Sequence, residues 1–191
     1  MANIALFVSE TFVKKNSNID GNVDVKYITP VIEKVQKLYI RPALGTALYD
    51  EIAAEILAGS VSADNTTLLE DYIQDAMVNY VVAKGMTSFA YKIENKSVAT
   101  KNSENATPVD DSIIQKLVAE AFDDAEYFRQ QLMNFLQANA DADTYNAYLN
   151  PGTAFDTIRP TKNSYTVGWA LDEPTKIPKN IDVSPSKYDC L

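Results

Sequence analysis

The longest regular feature of the sequence is a hydrophobic period of about 3.6 residues in the second half of the chain. Apolar residues recur every three or four positions, while Asp123, Asp124, Glu126 and Gln130 lie mostly off that stripe. This pattern predicts a long amphipathic helix with one buried face, and therefore a helical bundle. The apolar positions are Ile114, Leu117, Val118, Ala121, Ala125, Phe128, Leu132, Phe135 and Leu136.

Two further periodic segments flank the corner "YIRPALGTALYDEI" nearer the N-terminus. We expect a first helix over residues 24–41, because Pro42 disfavours helical geometry in the residue before it. Gly45 can supply a left-handed helix end, and Thr46 is a candidate N-cap for a second helix over 46–58. The segment therefore predicts a tight helix–helix corner.

A third helix is predicted from about Leu68 to Tyr91, followed by a polar segment from Ile93 to Pro108. Loops of more than about 12–15 residues are uncommon in compact domains and often have a function. The alternation in "KSVATK" is compatible with a short β-hairpin. Thr107 is a candidate N-cap and Pro108 a candidate first residue for the long helix.

The composition changes after Asn150. Residues 151–191 contain five of the eight prolines, the only tryptophan, and equal numbers of acidic and basic residues. They retain several aromatic residues but no helical period, which predicts an extended arm. We expect an all-α fold of about four to five helices over residues 1–150, with an N-terminal arm, and a C-terminal arm over 151–191.

The composition excludes several kinds of chemistry. The chain has no histidine, so it cannot form a Ser-His-Asp triad or a histidine metal site. Its one cysteine, Cys190, rules out an internal disulfide. The net charge of −9 gives no general attraction to nucleic acid. No membrane-spanning segment is evident, and we predict a protein made in a cytoplasm, without a cofactor and without enzymatic activity.

One enzymatic alternative comes from acidic residues at helical spacing. Asp71 and Asp75 are four positions apart, and Glu120, Asp123 and Glu126 follow one another at intervals of three. All-α pyrophosphatases hold Mg²⁺ with carboxylates spaced in this way on facing helices. The carboxylates of Asp123 and Asp124 lie opposite the apolar stripe, however, where a charged run is usually a solvated face. A cytoplasmic helical adaptor without a role in a virus particle is another alternative.

Several stretches together resemble the helical head–tail connector proteins of tailed phages, including those of crAss-like phages. They are "ALFVSETFVKKNSNIDGNVD", "KYITPVIEKVQKLYIRPALGTALYDEI", "NKSVATKNSENATP" and "AEYFRQQLMNFLQAN". The resemblance covers most of residues 6–150 and is weaker beyond Asn150. It consists of helices and corner residues and includes no catalytic motif.

This resemblance implies a structural virion protein, assembled in the host cytoplasm, that forms a ring at the junction between head and tail. It implies a homo-oligomer of about twelve copies around a channel through which DNA passes without specific binding. Its partners would be the portal protein and the next tail or neck protein. A neck or tail-completion protein is the alternative within the same particle.

Candidate interface residues come from the polar loop and from the C-terminal arm. The loop from Ile93 to Pro108 is expected to project toward the next tail component or to line the ring. The arm is expected to pack on a neighbouring subunit or on the portal, although packing of its aromatic residues on their own domain is nearly as plausible. The candidates are Lys96, Val98, Lys101, Asn102, Phe155, Tyr165 and Trp169.

Overall fold

The computed structural model describes residues 4–93, 98–100 and 110–162. This part of the chain is mostly helical, and the predicted all-α class is confirmed. The only strands within it are β1, Tyr91–Ile93, and β2, Val98–Thr100, which pair antiparallel. The helices are α1 Glu10–Lys15, α2 Val25–Val35, α3 Arg41–Leu44, α4 Thr46–Ala58, α5 Ala63–Leu68, α6 Gln74–Ala90, α7 Asp111–Asn139 and α8 Asn146–Leu149.

The helix before the corner does not stop at Arg41, as the sequence suggested. A π-helical segment, Gln36–Ile40, joins α2 directly to α3, so the helical chain continues through Pro42 to Leu44. A π turn interrupts the usual i to i−4 hydrogen-bond ladder just before the proline, which has no N–H to donate. The helix therefore ends at Gly45, the residue that follows α3.

The N-terminal residues pack into the body. Phe7 and Val8 are buried, and the side-chain amide of Gln36 binds the same stretch. The Gln36 oxygen accepts from the Phe7 N–H at 3.0 Å, and its nitrogen donates to the Ala5 carbonyl and the Tyr49 hydroxyl, both at 2.9 Å. This one amide joins the N-terminal segment, α2 and α4. The sequence analysis missed α1, whose first turn is capped by Ser9.

The next helix begins earlier than predicted. The Ser62 hydroxyl accepts from the Asn65 N–H, so α5 starts at Ala63 and continues through a π-helical segment, Leu69–Ile73, into α6. The amide of Asn65 is buried and donates to the Glu55 carboxylate at 2.8 Å. These polar contacts fix the turn between α4 and α5.

The long helix α7 packs against α6, but only its second half is deeply buried. Its N-cap is Asp110, whose carboxylate accepts from the Ser112 N–H at 2.9 Å, and not the predicted Thr107. The deeply buried positions begin at Ala125, whereas Leu117 is 44% exposed. The predicted apolar stripe is therefore covered along the C-terminal half of α7 and partly open along its N-terminal half.

Candidate interaction surfaces

The corner between α3 and α4 binds residues 158–161 of the C-terminal region, which we refer to as the docked segment. Thr46 donates its N–H to the Ile158 carbonyl at 2.9 Å, and its hydroxyl accepts from the Ile158 N–H at 2.8 Å. The Thr161 N–H donates to the Pro42 carbonyl at 2.9 Å. The prediction that Thr46 is the N-cap of α4 is therefore wrong, because its side chain binds the docked segment instead.

Gly45 lets this segment approach closely. Its backbone lies at φ +79° and ψ 164°, a region that is essentially restricted to glycine. A Cβ atom at this position would lie 2.7 Å from two ring carbons of Pro160. The absence of a side chain at residue 45 is thus required both by the backbone and by the docked proline.

Phe155 lies just before this docked segment and does not pack on its own domain. Its side chain is fully exposed, at 108% of the reference accessible area. Leu149 and Ile158 nearby are also exposed, at 46% and 36%. The described residues leave all three of these apolar side chains exposed to solvent.

A cleft of about 630 Å³ lies in the C-terminal region and is basic in character. It is lined by residues 148–153 together with Arg159, Pro160 and Lys162, and no acidic residue lines it. Within the described part of the chain, neither Arg159 nor Lys162 forms an ion pair. We refer to these lining residues, with Phe155 and Ile158, as the C-terminal cleft.

A second surface lies on the N-terminal half of α7. Ile113 and Leu117 are 50% and 44% exposed, and Glu120 and Asp124 continue the same helical face at positions i+7 and i+11 from Ile113. Leu117, Glu120 and Asp124 also line a groove of about 280 Å³ between α6, α7 and the loop at residues 16–18. We refer to Ile113, Leu117, Glu120 and Asp124 as the α7 patch.

The acidic pairs considered as metal ligands do not converge. No group of three or more acidic or thiol side chains capable of holding a metal ion is present among residues 4–93, 98–100 and 110–162. Burial, and secondarily the charge of Asp71, raises the pKa of Asp75, but no third ligand joins that pair. The hydrolase alternative therefore receives no support from these carboxylates.

Glu126 has a structural role in place of metal binding. Its carboxylate accepts from the Tyr80 hydroxyl of α6 at 2.5 Å and pairs with the Arg129 guanidinium at 2.7 Å. Burial alone would raise the pKa of Glu126, but the hydrogen bonds from Arg129 and Tyr80 outweigh it and hold the pKa below its ordinary value. This group links α6 to α7.

The predicted interface residues divide into described and undescribed positions. Lys96, Lys101, Asn102, Tyr165 and Trp169 lie outside the described residues, as does most of the loop at 93–108. Val98 lies in β2 and pairs with Ile93. Phe155 is described and is fully solvated. None of the described candidates is brought together with another.

Sequence reasoning missed the residues that organise both surfaces. Gly45 and Thr46 were interpreted as helix punctuation, and Ile158 was not singled out, although Thr46 binds Ile158 and Gly45 makes room for Pro160. The docked segment has no periodicity, so only its proline, Pro160, offered a signal in the sequence. Leu117 is on the apolar stripe that the sequence predicts to be buried, yet it is 44% exposed at the edge of the groove between α6 and α7.

None of the described helices is both long and apolar enough to cross a lipid bilayer. No curated protein and no solved structure matches the chain. A model of a protein family described only as a family of unknown function, DUF6712, matches residues 40–157. This match begins at the residue before α3, includes α7 and ends at Thr157, so it spans both the corner and the long helix. Since it covers more than half of the 191 residues, the chain belongs to the DUF6712 family.

Proposed function

We propose that this protein is a structural ring subunit at the head–tail junction of a tailed phage, positioned between the portal and the tail around the DNA channel. In this proposal it has no catalytic activity, is assembled in the host cytoplasm, and contacts the portal, the next tail or neck protein, and further copies of itself. The resemblance of residues 6–150 to connector proteins motivates the proposal. The family match does not assign a function and is neutral on this point.

The observation that carries the proposal is that the C-terminal region is anchored to the corner and exposes an aromatic side chain just before the anchored residues. Residues 158–161 are fixed to the corner by three hydrogen bonds, and Phe155 stands fully exposed beside them. An anchored segment with a solvated aromatic side chain presents a rigid attachment point to another molecule. Aromatic residues are enriched among the side chains that dominate protein–protein interfaces.

A ring subunit also needs two different surfaces, because a ring closes through unlike contacts on the two sides of each copy. The α7 patch and the C-terminal cleft meet this requirement. The chain reaches the cleft through α8, which follows the end of α7, and Tyr145 beside α8 packs on Phe135 with ring centroids 5.9 Å apart. At about 1.5 Å per residue, Phe135 lies roughly 27 Å along α7 from Leu117. The two surfaces have no residue in common.

In this proposal the loop at 93–108 and the arm at 151–191 contact neighbouring proteins. The assignment includes Lys96, Val98, Lys101, Asn102, Tyr165 and Trp169 as interface residues, together with Phe155. The net charge of −9 is compatible with a channel wall that lets DNA slide without binding it tightly.

The test is native mass spectrometry of the full chain with its candidate portal, compared with a variant truncated after Lys162. That truncation retains the segment docked on the corner and removes the rest of the arm. We expect the full chain to form a ring on the portal and the truncated chain to keep its thermal unfolding midpoint while losing ring assembly. A truncated chain that assembles like the full chain would exclude the role of residues 163–191.

A full chain that ignores the portal but binds an assembled portal–connector complex would identify a neck protein instead. A full chain that stays monomeric with every head or tail component would contradict the proposed function.

A further inference from the structure

We propose that the α7 patch of one copy docks into the C-terminal cleft of a second copy, so that the subunits join head to tail. This inference rests on the proposed function, in that it specifies the contact between neighbouring subunits of the ring. It concerns only residues that the structure describes.

The apolar side chains of the two surfaces are the first argument. Ile113 and Leu117 on the α7 patch are about half exposed, and Leu149 and Phe155 at the C-terminal cleft are 46% and fully exposed. Ile113 and Leu117 are one helical turn apart on α7, Leu117 lines the groove, and Leu149 lines the cleft. Each pair would be removed from water by contact with the other.

The charges of the two surfaces are the second argument, and they are opposite in sign. The α7 patch adds Glu120 and Asp124 to its apolar pair, and neither carboxylate forms an ion pair within the described part of the chain. The cleft adds Arg159 and Lys162, which are likewise unpaired there. Residues 110–124 include five acidic side chains and one lysine. Residues 151–162 include two basic side chains and one acidic side chain, Asp156.

The positions of the two surfaces select head-to-tail contact. They have no residue in common, so one copy can use both at once with two different neighbours. A surface that is complementary to a different surface on the same molecule generates a heterologous interface, and repetition of that contact gives a ring or a filament. Opposite charges at such an interface determine which surfaces meet and accelerate their encounter.

The test uses two charge-reversed variants of the full chain. The first, Glu120→Lys with Asp124→Lys, makes the α7 patch basic. The second, Arg159→Glu with Lys162→Glu, makes the C-terminal cleft acidic. Within either variant alone, the two surfaces carry the same charge and repel. In a mixture of the two, the acidic cleft meets the basic patch, and the original cleft meets the original patch.

Sedimentation velocity and native mass spectrometry at low ionic strength would measure self-association. We expect the wild type to associate, each variant alone to associate at least about tenfold more weakly, and the equimolar mixture to recover mixed assemblies. Added salt should weaken the wild-type assemblies, because it screens exposed charges. A variant with Glu70→Lys and Asp71→Lys, two exposed carboxylates that line neither surface, is the control for the change in net charge.

Circular dichroism of each variant would show that the fold is retained, which is expected because all four side chains are exposed. The proposal is overturned if the mixture behaves like the separate variants, or if the control variant weakens association as strongly. It is also overturned if the wild type shows no self-association under these conditions. A ring of wild-type subunits on the portal in the native mass spectra would still support the proposed function, with a different contact between subunits.

Discussion

Gly45 illustrates how one residue can be constrained by two independent causes. Its φ of +79° with ψ of 164° is unfavourable for any residue with a side chain, and Pro160 occupies the space that a Cβ would need. At Gly59 φ is also positive, yet nothing lies within 4 Å of the corresponding Cβ position. A sequence shows both as glycines after an apolar run and cannot separate them.

We predict that Gly45→Ala destabilises the protein by about 1–3 kcal/mol and loosens the docked segment. The backbone would resist the φ value, and the methyl group would displace Pro160 from the corner. Urea unfolding gives the change in free energy, and hydrogen exchange of the Thr46, Ile158 and Thr161 amides reports on the docked segment. The same change at Gly21, where nothing lies within 4 Å and φ is not positive, is the control. Equal effects at the two positions would contradict this explanation.

At the scale of elements, α7 combines two environments in one continuous helix. Leu132 and Leu136 near its C-terminal end are fully buried, whereas Leu117 in its N-terminal half is 44% exposed. The aromatic stack of Tyr72 on Phe135, with ring centroids 4.2 Å apart, lies in the buried half. The hydrophobic period of the sequence is the same in both halves of α7, because the period reflects the geometry of the helix and not the elements that cover each face.

We therefore predict different outcomes for the same substitution at two positions of α7. Leu132→Ala should lower the free energy of unfolding by about 2–5 kcal/mol, because it leaves a cavity in the core. Leu117→Ala should leave the unfolding free energy of the monomer within about 0.5 kcal/mol of the wild type, as is usual for exposed positions. Chemical denaturation at low protein concentration measures both changes. A large loss at Leu117 would show that the N-terminal half of α7 belongs to the core.

At the scale of the whole molecule, the carboxylate of Glu126 connects stability to pH. Its pKa is lower in the folded protein than in an unfolded chain, because Arg129 and Tyr80 bind the ionised form. The resulting stabilisation is fully present above the unfolded pKa of about 4.3 and disappears as the pH falls through the lower folded value. The contact joins α6 to α7, so its loss weakens the central pair of helices.

We predict that Glu126→Gln removes part of the acid sensitivity of unfolding. The free energy of unfolding should fall less steeply between about pH 5 and pH 3 in the variant than in the wild type. The wild-type carboxylate, whose pKa is lowered in the folded state, takes up a proton on unfolding, and the variant lacks this carboxylate. Urea unfolding across this pH range gives the two curves. Asp123→Asn, which removes an exposed carboxylate from the same helix, should leave the wild-type slope unchanged. Parallel curves for Glu126→Gln and the wild type would contradict the prediction.

Local sequence patterns are sufficient to predict the all-α class and the approximate positions of α4, α6 and α7. Those elements follow from local rules: apolar residues at helical spacing, a glycine at a helix end, and the absence of prolines in the helix interiors. The absence of histidine and the single cysteine also excluded several catalytic sites on composition alone. These features do not depend on how the helices pack.

Which side chains are covered, and what the corner binds, depends instead on the packing of the folded chain. The π turn that carries the helix through Pro42, the binding of Thr46 to Ile158, and the exposure of Leu117 all depend on residues far apart in the chain. Periodicity specifies the face of a helix but not which other elements cover it, and a non-periodic segment such as 158–161 gives no sign of its partner. The corner binds the C-terminal segment because folding brings residues 42–46 and 158–161 together. These residues are too far apart in the sequence for a local rule to predict the contact.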